Sequence, residues 1–131
     1  GKLLAGQIPV RDRELMVLRT AWRCDTEYEW GQHCQIARDA GVTAEELFNI
    51  ARGPDAAGWD LFDATLLRAV DELHDESCIT DETWEILAAR YDDKQLIELP
   101  MLVGQYHLVA FTMNSLRLEH EPGADRFPDV S

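Results

Sequence analysis

Cysteine is scarce in this sequence, and cysteine pattern is scarcer. Three occur in 131 residues, Cys24, Cys34 and Cys78, in neither a Cys-x-x-Cys pair nor a zinc-finger spacing. That excludes a disulfide-built scaffold, and an odd, unpatterned set fits a reducing compartment, so a cytoplasmic location is expected. Positive charge is also in short supply: 12 basic against 25 acidic side chains give a formal net charge of -13. No run of Lys or Arg interrupts it. Such a surface repels phosphate backbones and anionic lipid, so neither a nucleic-acid nor a membrane partner is expected. No basic start followed by an apolar run marks a signal peptide. The stretch from Leu99 to Leu116 has no formal charge and approaches the length of a membrane span. It carries Pro100, Gly104, Gln105, His107, Asn114 and Ser115, however, a content that suits a helix buried in protein. Period-two alternation is missing throughout, which leaves little room for a sheet.

What is present is helical periodicity. Hydrophobic residues make up 46% of the chain, enough for one domain around one core over residues 1–131. The expected fold is all-α, a bundle of about six helices between arms at 1–10 and 119–131, the latter possible cover for a neighbour. Leu15, Leu18 and Trp22 give the inner stripe of a helix over about 11–24. A second runs over about 26–40, with Trp30, Ile36 and Ala37 apolar and Gly41 ending it. Thr43 with Glu46 reads as a capping box opening a third. Trp59, Phe62, Leu66, Ala69, Val70 and Leu73 repeat at helical spacing over about 59–75. A fifth helix over about 81–91 is expected to bury Trp84, Leu87, Ala88 and Tyr91. Asp93 is expected to cap the sixth, which Pro100 should kink or break. Apolar nearly all round, that helix is the expected central strut.

Chemistry concentrates on the first two helices. Glu29 and His33 stand four apart and share a helix face. Glu14 on the preceding helix can fold against them, and two carboxylates with an imidazole can move protons. His33 is either a proton shuttle or a core histidine bonded to a carbonyl. Glu29 is either its orienting base or half of a surface pair, with Tyr28 and Trp30 as a partly apolar wall. Glu14 is either a partner of His33 or salt-bridged to nearby arginines. Thr26 can donate a hydroxyl to the site or N-cap the second helix, the preferred reading. Tyr106 and His107 on the sixth helix are candidates to line a substrate pocket. His74 and His120 read as surface residues. No metal and no cofactor is expected: carboxylate–imidazole sets this sparse serve more often as acid–base groups or structural pairs.

The run RDRELMVLRTAWRCDTEYEWGQHCQIARDAG, Arg11 to Gly41, resembles the carboxymuconolactone decarboxylase and alkylhydroperoxidase-D-like superfamily, with supporting similarity over Asp81 to Leu116. The peroxidase branch has a glutamate, eleven residues, a cysteine, two residues, a cysteine, three residues and a histidine. Here Glu14 and His33 match the ends, while Thr26 and Glu29 stand where the cysteines would be. No disulfide can cycle there, so peroxide reduction by that route is excluded. The decarboxylase branch has a glutamate, three residues and a histidine, as in Glu29 and His33. The resemblance therefore implies an all-α acid–base enzyme acting on a small organic acid or lactone. It also implies a homo-oligomer: a trimer, a hexamer or a related assembly such as a dimer. Family members usually carry further helical sequence upstream of the point where Gly1 stands. A thiol-dependent redox protein using Cys24 or Cys34, and a non-catalytic ligand-binding module, are the competing readings. His33 as imidazolium, Tyr106 and Arg19 are candidate donors to a developing enolate.

Overall fold

The structure, a computed structural model, describes residues 7–131; residues 1–6 of the expected arm over 1–10 lie outside the described residues, and Val10 already opens a helix. Six helices and no strand occur among the described residues: α1 (Val10–Arg23), α2 (Glu27–Asp39), α3 (Ala44–Arg52), α4 (Leu61–Glu76), α5 (Asp81–Ala88) and α6 (Asp93–Leu116). The all-helical fold matches expectation, as do the helix positions to within a few residues. Local chemistry sets the ends. Thr43 and Glu46 exchange side-chain and backbone hydrogen bonds at the start of α3. Asp92, not Asp93, forms the corresponding box with Gln95 on α6. Asp60 caps α4 by accepting from the Asp63 N–H.

The central strut is α1 rather than α6. It packs against α2, α3, α4 and α6, and Leu15, Met16, Val17 and Leu18 in succession are buried. A helix enclosed on all sides loses the single-stripe pattern of a surface helix. Its charged groups are therefore paired internally, while the buried Thr20 hydroxyl has no partner among the described residues. Arg19 forks onto both oxygens of Asp71 and donates to the carbonyls of Ile50 and Ala51. That engagement removes Arg19 as a donor to an enolate. Asp12 accepts from the Tyr91 hydroxyl at 2.6 Å. Glu98 is likewise structural: its carboxylate accepts from the backbone N–H groups of Gln7 and Ile8.

α6 passes through Pro100 without a break. The ring removes one backbone donor, but Leu99, Leu102 and Val103 beside it are buried and their packing holds the helix on course. Its other face is uncovered: Ile97, Met101, Leu108, Phe111 and Leu116 are exposed. The expected fully buried α6 is thus corrected to a half-buried one, because among the described residues α1, α4 and α5 pack on one side of it only. Trp84 and Ile36 are also exposed, and Ala88 lies outside the core.

The C-terminal segment lies on its own chain. Phe127 sits edge-on to Trp22 and Trp30, with ring centroids 5.0 and 5.5 Å apart. The Phe127 N–H donates to Glu27, Arg38 pairs with Asp125, and Tyr28 and Gln32 both bond Glu121. Gly31 makes this approach possible: a Cβ there would lie 3.0 Å from the Asp125 carbonyl oxygen and 3.1 Å from the Ala124 Cβ.

Candidate acid–base site

α1 and α2 are joined by a tight connection at Cys24–Thr26, so they run back against each other. This turn brings Glu14 opposite His33. The His33 Nδ1 lies 2.6 Å from Glu14 Oε1, and its Nε2 lies 3.0 Å from Glu29 Oε1, one helical turn earlier on α2. Carboxylates only accept, so with both ring nitrogens on carboxylates the ring is an imidazolium donating twice. Glu14 is fully buried, and its second oxygen accepts from Arg13 Nε at 2.9 Å. The side chains of His33 and Glu29 keep 13% and 6% of their exposure, so the ring, more than either carboxylate, is the group nearest solvent.

Burial opposes charge on His33, but the hydrogen bonds and charges of Glu14 and Glu29 outweigh it. The ring is pushed up from the ordinary 6.5 to about 9. The Tyr106 ring stands edge-on to His33 at 5.5 Å, and its phenol is raised by burial and by Glu14.

The remaining candidates are distributed differently. Trp30 is sealed in the aromatic cluster with Trp22 and Phe127, away from solvent. Thr26 occupies the N-cap position of α2 but makes no side-chain cap bond. Its backbone, at φ -110° and ψ 80°, turns the hydroxyl toward the Cys24 carbonyl at 3.4 Å. His107 bonds His74 and the Val103 carbonyl, not the carboxylates. His74, expected on the surface, is half-buried as a result, and His120 is tied to the Ala124 carbonyl. Arg13, one of the arginines weighed as a salt-bridge partner of Glu14, does pair with it, so Glu14 meets both readings at once. Cys34 is buried, and its thiol is pushed up to about 12 by burial and by Asp125, which suppresses the reactive thiolate. Cys24 is also raised by burial.

Three surface hollows lie elsewhere. One of about 460 Å³ is lined by Met101, Gly104, Gln105, Leu108 and Val109. Another of about 380 Å³ lies between the start of α4 and the end of α5. A third of about 240 Å³ lies between α2, α3 and the C-terminal segment. Glu14, Glu29 and His33 line none of the three.

A family model described as the Carboxymuconolactone decarboxylase family matches residues 1–72. The chain belongs to the carboxymuconolactone decarboxylase family. The match contains Glu14, Thr26, Glu29 and His33 and ends before Tyr106 and His107. The helical fold accords with that family, which includes enzymes. No curated protein matches the sequence.

Proposed function

We propose that this member of the carboxymuconolactone decarboxylase family is an acid–base enzyme, a decarboxylase or isomerase of a small organic acid or lactone, with Glu29, His33 and Glu14 as its working groups. The observation that carries the reading is the imidazolium held between two carboxylates at the edge of the core. Glu29 is the exchanging base and acid. The His33 cation opposes the negative charge that develops on an enolate oxygen. In a decarboxylation the carbon–carboxylate bond breaks, carbon dioxide leaves, and its electron pair passes to the enolate. One proton passes from His33 Nε2 through Glu29 to that carbon, and solvent returns a proton to the ring. In an isomerisation Glu29 removes a proton α to the carbonyl and returns it at another carbon. Glu14, dry and braced by Arg13, fixes the ring and its charge. The reading requires substrate to reach Glu29 past Tyr106.

A homo-oligomer belongs to the same proposal. The uncovered face of α6, with Met101, Leu108 and Phe111 exposed, is where a second copy of the chain would pack.

The test is solvent deuterium exchange at carbon, followed by NMR, across lactone acids and β-keto acids, together with carbon dioxide release. Wild-type protein is expected to exchange or decarboxylate at least one compound. His33→Ala and Glu29→Gln should abolish turnover while circular dichroism stays unchanged. Full activity in both variants would overturn the assignment.

A further inference from the structure

At the opposite end of α1 from Glu14, three helices bring together side chains that the acid–base site does not use. Cys24 caps the end of α1, His74 lies in the last turn of α4, and His107 lies within α6. The Cys24 Sγ is 3.9 Å from His74 Nδ1, and His74 Nδ1 is 2.9 Å from His107 Nε2. All three ligand atoms fall within 4.8 Å of one another, and all three residues are half-buried.

The geometry points to a transition-metal site: we propose that Cys24, His74 and His107 bind a thiophilic divalent ion of the zinc class. A tetrahedral ion with Zn–N near 2.0–2.1 Å and Zn–S near 2.3 Å requires neighbouring nitrogens about 3.3 Å apart and sulfur about 3.6 Å from nitrogen. The observed 2.9 and 3.9 Å lie within a few tenths of those spacings, and the third pair, Cys24 with His107, lies within 4.8 Å and must close onto the ion. Protonation is also arranged for it. His107 Nδ1 faces the Val103 carbonyl at 2.8 Å, and a carbonyl only accepts. In the neutral ring that nitrogen therefore carries the hydrogen, leaving the Nε2 lone pair turned toward His74. A ligating histidine whose other nitrogen donates to a backbone carbonyl is the usual outer-shell arrangement at metal centres. One thiolate and two imidazoles suit zinc over magnesium or calcium.

Further contacts brace the ligands. The Asn114 amide donates to the Cys24 carbonyl at 2.8 Å, tying the end of α1 to α6. The neighbouring Arg23 cation is paired with Asp71 and Asp75, which weakens its repulsion of an incoming ion. Binding exchanges protons for metal. The Cys24 thiol releases one proton to solvent, and the Nδ1 hydrogen shared by the two histidines moves to the outer nitrogen of His74. Three protein ligands leave a fourth position for water or a small anion.

The test loads the reduced, full-length chain with Co²⁺ and with Zn²⁺. One equivalent of Co²⁺ is expected, with a thiolate-to-cobalt charge-transfer band that Zn²⁺ displaces. Cys24→Ser should abolish the band. His74→Ala and His107→Ala should each weaken Zn²⁺ binding at least about tenfold. Cys34→Ser and Cys78→Ser should leave the band and the affinity unchanged. Absence of the band in the folded wild type would overturn the proposal. So would Zn²⁺ binding that survives Cys24→Ser with His107→Ala or disappears in Cys34→Ser. None of these readouts depends on turnover, so the proposal stands or falls apart from the acid–base reading.

Discussion

Replacing His33 by Gln should remove a pH dependence of stability that the wild type must show. The folded ring titrates at about 9 against an ordinary 6.5. A raised value on a basic group means that the folded state holds the proton more tightly than the unfolded chain. The stabilisation is therefore complete below about pH 6.5 and is lost as pH rises through about 9. Linkage gives a contribution of about 2.5 kcal/mol at pH 7, falling to about 1 kcal/mol at pH 8.5. With the side chain 13% exposed, solvent screens part of this, and a fall of roughly 1–2 kcal/mol between the two pH values is expected. Other perturbed groups stay out of that window. His74, lowered by burial and Arg23, acts below its ordinary 6.5. The Cys24 and Cys34 thiols, raised by burial, act above about 9. In urea, with a slope of roughly 1–3 kcal/mol per molar, the wild-type midpoint should drop by about 1 M from pH 7 to 8.5. The His33→Gln midpoint should stay level. A level wild-type midpoint, or an equal fall in the variant, would refute the claim that Glu14 and Glu29 hold the ring charged.

Two further outcomes follow from packing. Gly31→Ala should press the new methyl against Asp125 and Ala124 and loosen the C-terminal segment from α2, costing about 1–3 kcal/mol. Faster proteolytic clipping after Arg117 and red-shifted tryptophan emission would report it, and unchanged clipping would show that the segment does not depend on the close approach. Leu108→Lys with Phe111→Lys charges the uncovered face of α6 without touching the core. Sedimentation should find an assembly in the wild type and single chains in the double variant; an unaltered assembly would move the interface elsewhere.

The sequence carried the helices because most are set by short-range chemistry: the Thr43–Glu46 box, Gly41 after α2, and the apolar repeat of α4. It misjudged which helix is central. Composition made α6 the more apolar candidate, but burial depends on how many neighbours a helix has. α1 gains its neighbours by standing between α2 and α4, a property of topology rather than of its own residues. The same distinction explains the sites. Glu29 and His33 are one turn apart, and Glu14 lies just across a short connection, so their meeting was legible from spacing. Trp30 was misplaced because its neighbour Phe127 arrives from the far end of the chain.

Cys24, His74 and His107 have no readable spacing, since three separate helices deliver them. Their meeting has a consequence for the two proposals together. Tyr106 and His107 are consecutive on α6, yet Tyr106 leans on His33 while His107 turns to His74. About 100° of helical rotation separates adjacent side chains, so one turn of α6 serves both clusters. An ion held by His107 would fix the rotation of that turn and with it the position of Tyr106 over the imidazolium. Tyr106→Phe keeps the ring and removes only the hydroxyl, whereas His107→Ala frees the turn. If the coupling runs through α6, Zn²⁺ should sharpen the NMR signal of the His33 ring in wild type and in Tyr106→Phe but not in His107→Ala. No sharpening in the wild type at saturating Zn²⁺ would show that the two clusters are independent.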